Sequence, residues 1–580
     1  MGGPSHPSIP LKEFVKLYEK YGGVKAISRA TGKPWGGVQA SYKAAVSEGL
    51  MDAVKLGHKS NDHVTQVVKG TLKAKREPVI EGRLKARKAL VLPRRKKGVT
   101  RFLFTSAQSN TLLFDACWDN LLALAKHYKA TLHVSRFAYI KAGLGARGDK
   151  KDWFKNLNTE NNPGIPKEDF KAVKALWWDE RLTPYLLDER AEVAPGLVFC
   201  GEMNILPTKA KPLSGYQVYT GRKSGIFPHV KIAMESVATM RDHATKFNYT
   251  TGTVTMRNYI ARDAGLKAEF HHCYGALLVE VNEDGDWWCR QINADSEGTL
   301  YDLDMCAHNG KIGTGRGFVH SFNPGDTHAW NIDPEVFEAL WGEGGLVDTL
   351  RPKHQFHNDL LDFEPRSHHN IKKPHMQFLY HVRGREGVKQ ELLSTASLVE
   401  KTLRPWMTTH IVDSNHDRHI ARWLEEEDGR RDPVNALFWS NLNNETYEFI
   451  NKHHDEPNHF ELAMRMVAPS VAKKLDFIPQ DGSYIICPDA GGGIECGMHG
   501  DRGANGARGS AMSIAKMGRK ANIGHSHSAC IIDGVYQAGT CSIMKLSYNH
   551  GASSWSQSHI ITYVNGKRAI ICTWRGKWRA

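Results

Sequence analysis

The sequence predicts an α/β protein assembled from more than one domain. Three observations carry that prediction. The chain has 580 residues, beyond the roughly 250–300 at which a single hydrophobic core stops growing. Strand-like apolar runs alternate with an amphipathic helical stretch in its middle. Beyond residue 315, short apolar runs end repeatedly in clusters of Asp, Asn and His, as strand-end loops of an α/β sheet do.

The first 55 residues read as a small helical unit. Leu11, Phe14, Val15 and Tyr18 recur at the spacing of one helix face, and "YGGVKAISRATG" gives a second helix with Val24, Ile27 and Ala30 inward. After the turn "GKP", Pro34 suits the first position of a third helix carrying Val38, Tyr42, Ala45 and Val46. Short helix, glycine-containing turn and longer helix make a helix-turn-helix plan, whose last helix can enter a major groove. Residues 56–100 form a basic linker or arm. Between residues 69 and 101 stand thirteen Lys or Arg and only two Glu, a composition that tracks phosphate as readily as it spaces domains.

Residues 101–305 read as an α/β domain of unassigned function. "RFLFTS", the amphipathic "TLLFDACWDNLLALAKHY" and "TLHVSRFAYI" form a βαβ pattern, and "GLVFCGEM", "GTVTM", "GALLVEV" and "DWWCRQI" are further strand-like runs. "GLGARG" at 143–148 fits a dinucleotide fingerprint in letter only, because the charged "DKKDW" follows where a helix should open. His271, His272 and Cys273 are adjacent, so on a strand they would point to opposite faces and not share a metal.

Composition narrows the function classes. No run of about 18 apolar residues is present, so no membrane span is expected. The start "MGGPSHPSIPLKEF" lacks the order of a signal peptide. Ten Cys without a C-x-x-C pair suit reduced thiols in a cytoplasmic compartment, not a disulfide framework or zinc finger. The net charge of +15 asks for a polyanionic partner, nucleic acid being the commonest. A homo-oligomer is compatible with all of this.

The chemistry gathers in residues 315–580. "SFNPGDTHAW" supplies Asp326 and His328, and "HNDLLDF" supplies Asp359 and Asp362. "VDSNHD" supplies Asn415 and His416, "ECGMHGD" His499, and "IGHSHSA" His525 and His527. Most follow a strand-like run: "GFVHSF", "THIV", "GIEC" and "ANI". Three oxygen donors (Asp326, Asp359, Asn415) and four imidazoles (His328, His499, His525, His527), with no thiolate, suit Mn²⁺, Fe, Zn²⁺ or a mixed pair. Two such ions about 3.5–4 Å apart would clamp a phosphoryl oxygen and generate hydroxide from water. The glycine-rich "HGDRGANGARG" at 499–509 lacks the Gly-Lys-Ser/Thr ending of a P-loop, and is read as a loop bringing backbone amides and Arg502 to phosphate.

The order D-x-H, D-x-x-D, N-H-D, H, G-H-x-H resembles that of the calcineurin-like metallophosphoesterases. The resemblance implies a four-layer β-sandwich flanked by helices over 315–580, preceded by the second α/β domain and the small all-α unit. It implies that Asp326, His328 and His527 hold one metal, that Asn415, His499 and His525 hold another, and that Asp359 bridges. It makes His416 the proton donor to the leaving oxygen and Asp362 the carboxylate that orients it. Mn is the expected metal, with Fe, Zn, Ni or Mg as substitutes. The family's glycines before the bridging Asp and before Asn-His are Asn358 and Ser414 here, which is expected to alter both loops, since Ser tolerates positive φ poorly. The Arg-Gly of phosphoprotein phosphatases is replaced by Phe363 and Glu364. The overall plan is also similar to the DNA-transfer and host-takeover nucleases of tailed phages, which would place it in a host cytoplasm. The expected function is a two-metal phosphodiesterase acting on DNA. The alternatives are a phosphatase or nucleotide phosphodiesterase for a small molecule or phosphoprotein, and a DNA-binding scaffold without catalysis.

Overall fold

The computed structural model describes residues 9–21, 24–48, 89–139, 177–546 and 548–580. Most of the basic arm and all of "GLGARG" lie outside them. The chain divides into two compact units, Met1–Lys88 and Ala89–Ala580.

The first unit contains helices Leu11–Tyr21, Val24–Thr31 and Trp35–Ser47. Phe14 and Tyr18, four residues apart on one face, meet Ile27, Val38 and Ala45 in a small core with Ile9. Gly32 has φ of 67°, the left-handed conformation that ends a helix without a Cβ clash. Pro34 stands one residue ahead of the third helix, at its cap. Ala30, expected inward, is exposed.

The second unit is α/β. A six-stranded sheet runs in the order Leu475–Ile478, Thr408–Val412, His354–His357, Val319–Asn323, Ser558–Tyr563, Arg568–Cys572. Its first four strands are parallel and its last two pair antiparallel. Alternation along each strand sorts its two faces. Phe322 and Ile411 face helices, among them Pro334–Trp341 and Val388–Thr402. Phe356, Val412 and Ile478 face a second sheet, against Ile486, Ile494 and Cys496. Asn522 of that second sheet reaches across, donating to Asn323 Oδ1 at 3.0 Å and Thr562 Oγ1 at 3.1 Å. The parallel strands all end on the side from which the Asp, Asn and His loops emerge.

The second sheet has eleven strands, and it draws on both stretches that the sequence separates at about residue 305–315. Strand Met234–Val237 pairs with Cys530–Ile532, so Arg190–Thr250 and Ile485–Gln537 are parts of one sheet. The βαβ unit is present: Thr100–Gln108 and Thr131–Phe137 pair in parallel around helix Asp115–Tyr128. "GALLVEV" and "DWWCRQI" complete that four-stranded sheet. One face of it, with Phe102, Phe104 and Leu277, joins a core that includes Ile560 and Ile570. "GTVTM" forms no strand. It makes isolated bridges, Thr253 with Ser106 and Tyr274 and Thr255 with Leu113, and Thr253 Oγ1 also donates to the Ser106 carbonyl at 2.8 Å.

Candidate metal centre

Each motif leaves a strand and turns sharply. Four of the seven expected ligands hold left-handed backbone without being glycine: His328 (φ 48°), Asp359 (43°), His525 (77°) and His527 (57°). Each such residue costs roughly 1–3 kcal/mol, and such strain concentrates where a site over-determines geometry. Asn358 and Ser414, expected to alter their loops, do not take positive φ; Asp359 takes it instead. Ser414 is used for its hydroxyl, which accepts from the Asp359 N–H at 3.2 Å and donates to Asp417 Oδ2 at 2.8 Å. Asp417 also accepts the Leu361 N–H at 2.9 Å, tying the two loops together. Gly524 is required, because a Cβ there would lie 2.0 Å from Asp326 Oδ1.

The seven expected ligands converge in two overlapping groups. In the first, ligand atoms of Asp326, His328, Asp359 and His527 all lie within 4.8 Å of one another, and all four residues are buried. His527 Nε2 is 3.2 Å from Asp326 Oδ2 and 3.0 Å from His328 Nε2. In the second, Asn415 Oδ1 is 3.1 Å from His499 Nε2 and 3.0 Å from His525 Nδ1. Asp359 belongs to both, with its Oδ2 3.1 Å from His499 Nε2. The His525 N–H donates to Asp326 Oδ2 at 2.7 Å, while Oδ1 of the same buried carboxylate has no hydrogen-bond partner.

The electrostatics describe a place prepared for cations. Burial alone would lower the His328 pKa, but the carboxylates of Asp362, Asp359 and Asp326 push it up to about 9. Burial opposes protonation of His499 too, and Asp359 and Asp326 push it up to about 9. Burial would raise Asp359, yet His499, His416 and His328 hold it well below the usual carboxylate range. Burial lowers His525 and His527 instead, which favours the neutral imidazole that binds a metal, and a cation would take the place of the protons that the carboxylates hold on His328 and His499. A divalent ion in each group fits the donors: imidazole, carboxylate and amide oxygen, without thiolate.

His416 sits beside the first group, its ring 4.7 Å from that of His328. Its Nδ1 is 3.1 Å from the backbone carbonyl of Asp362. The expected contact from the Asp362 carboxylate is therefore made by main chain. The carboxylate itself lies 3.3 Å from His328 Nδ1 and accepts from the Trp330 N–H at 2.9 Å and Asn331 Nδ2 at 2.7 Å. Asp362 thus faces a ligand with its side chain at ion-pair distance and holds His416 by its backbone. Arg502 lines a cavity of about 500 Å³ together with His499, Arg418 and Arg519. Arg418 spans Asp413 and Asp501.

The chain is 36% identical over 490 residues to Protein A1 of Escherichia phage T5, covering 83% of each chain. It belongs to the family of that phage protein. No protein-family model matches the chain, and no solved structure matches it.

In this A1-family chain one supporting residue leaves no trace in sequence. Glu391, on helix Val388–Thr402, is buried and its Oε1 accepts the Asp362 N–H at 2.9 Å and the Phe363 N–H at 2.7 Å. A lone Glu on an amphipathic helix reads as a solvated residue. Asp417 does carry a signal, since "SNHD" crowds it against Asn415 and His416.

Proposed function

We propose that this protein is a two-metal phosphodiesterase of the calcineurin-like type, acting on DNA. The observation that carries the reading is the convergence of seven residues from five loops, with Asp359 common to both groups. Asp326, His328, Asp359 and His527 would hold one divalent transition ion, and Asn415, His499, His525 and Asp359 the other. Such a pair supplies Lewis-acid polarisation of a phosphoryl oxygen and a hydroxide at neutral pH.

The chain's own residues then do three things. The Asp362 carbonyl accepts the Nδ1–H of His416, so a proton passed to the departing alkoxide would leave from Nε2 of the imidazolium form, which returns to the neutral Nδ1–H tautomer. The Asp362 carboxylate fixes the ring of His328, as partners of ligating histidines do. Arg502 and Arg519, 3.9 Å from Asp481 and 3.5 Å from Glu495 on the His499 side, would exchange these partners for the flanking phosphate. DNA is favoured over a small ester by the net charge of +15 and by a separate three-helix unit ahead of the centre. The relation to a phage protein makes the host cytoplasm the proposed place of action.

The test is a plasmid assay with metal-stripped protein, without and with added Mn²⁺, beside a simple diester and a monoester. Cleavage of DNA that requires the ion and is abolished by EDTA is expected. Full DNA cleavage by stripped protein in EDTA would sink the proposal. Hydrolysis of the monoester alone would make it a phosphatase, and no hydrolysis of any substrate would leave a binding protein.

A further inference from the structure

Between strands Val535–Gln537 and Ser558–Tyr563 the chain carries two aromatic residues to the mouth of the metal centre. The Trp555 ring lies 4.2 Å from the His527 imidazole, at 70° to it. The Tyr548 ring lies 6.1 Å from that of His416 and 5.7 Å from Trp555, the two aromatics meeting at 61°. They form a corner beside the first ligand group. Tyr548 is 45% exposed and Trp555 half-buried. Among the described residues, neither the Tyr548 hydroxyl nor the Trp555 indole N–H has a hydrogen-bond partner.

The main chain around Trp555 is hydrogen-bonded on both sides. The Ser556 N–H donates to the His527 carbonyl at 2.9 Å, one residue from Trp555. Thr239 and Ser553 exchange backbone hydrogen bonds of 2.9 and 2.8 Å, and the Thr245 hydroxyl donates to the Trp555 carbonyl. Ser528 and Ser554 hydroxyls meet at 2.8 Å. Trp555 is thus set beside His527, and Tyr548 presents an open ring next to it. The cavity beside His499 holds Arg418, Arg502 and Arg519, each paired with an acid of the same lining: Arg418 with Asp413 and Asp501, Arg502 with Asp481 and Arg519 with Glu495. Open aromatic faces beside the ligand groups match the bases of a strand whose phosphate sits at the centre.

We infer that Tyr548 and Trp555 are a stacking platform for the nucleobase next to the scissile phosphodiester, and that they make the centre select nucleic acid over small phosphate esters. This rests on the phosphodiesterase reading above. Both are positioning residues: they place the phosphate by holding the base beside it. Stacking is tolerant of sequence because every base has a π-face, so the platform confers preference for bases without preference among them.

The test uses the full chain in Mn²⁺ and a short single strand with 2-aminopurine beside a non-hydrolysable methylphosphonate linkage. Wild-type protein should quench the 2-aminopurine by stacking. Trp555→Ala and Tyr548→Ala should abolish most of the quench and weaken binding roughly 10–100-fold, while Trp555→Phe and Tyr548→Phe should keep most of it. The wild type should also cleave a normal strand at least roughly tenfold faster than one abasic at the same place, a preference that both Ala variants lose. Tyr548 is exposed, so its Ala variant should melt with the wild type and separates platform from fold. Absent quench in the wild type, equal quench in the Ala variants, or an unchanged base-to-abasic ratio overturns the platform. Stacking without any metal-dependent cleavage would instead overturn the phosphodiesterase reading and leave the platform standing.

Discussion

At the scale of single residues, neighbours in "SNHD" should fail in different ways. Asn415 offers its amide oxygen to the second group, so Asn415→Ala should lower metal occupancy there. His416→Ala should keep both ions and still bind DNA, yet lose on the order of 10²–10⁴-fold in rate. That loss should shrink on a nitrophenyl diester, whose leaving group departs without a proton. Because the Asp362 carboxylate lies on His328 rather than on His416, Asp362→Asn should weaken metal binding roughly 10–100-fold instead of copying His416→Ala. Metal analysis of each purified variant beside its two rates decides the matter, and full metal in Asp362→Asn would refute the assignment. The ligand residues are legible in sequence because their chemistry is crowded into short motifs. Which atom of Asp362 meets His416 is not, since a backbone carbonyl leaves no mark on residue identity.

At the scale of elements, helix Val388–Thr402 acts on the centre through one buried acid. Burial first, and then the charge of Asp362, push Glu391 up to about 8. The folded state therefore holds this proton more tightly than the unfolded chain does. The resulting stability is complete below about pH 4 and is lost as pH rises through 8. Glu391→Gln keeps an oxygen for the two N–H donors and removes the titration. In metal-free urea unfolding, the wild type should lose more stability than the variant between pH 5 and pH 8. An equal loss in both would mean that Glu391 does not titrate in this range. Strands with continuous apolar runs, such as "GALLVEV", are legible in sequence. "GTVTM" misleads, because β-branched threonines satisfy a strand pattern while their buried hydroxyls bond to neighbouring backbone.

At the scale of the whole molecule, the two units set where the chain can be cut. Leu90–Val91 pairs with Arg190–Ala194 and Leu92 enters the main core, so a truncation should begin at Ala89 and not beyond the arm. Residues 89–580 should keep metal-dependent hydrolysis of a small diester. Their DNA affinity should fall, and its log–log salt slope should flatten by about 0.9 for each phosphate that is no longer neutralised. An unchanged slope would make residues 1–88 bystanders to DNA binding. The pairing of segments some 300 residues apart is invisible in sequence, because local pattern specifies a strand and not its neighbour.

That long-range pairing has a consequence during synthesis. Strand Met234–Val237 must wait for Cys530–Ile532, and the ligand set begun at Asp326 is finished only by His527. A ribosome-bound chain therefore carries an unfilled sheet edge and an incomplete centre until residues 525–532 have been made. The chemistry proposed for this protein would be withheld from the nascent chain up to that point.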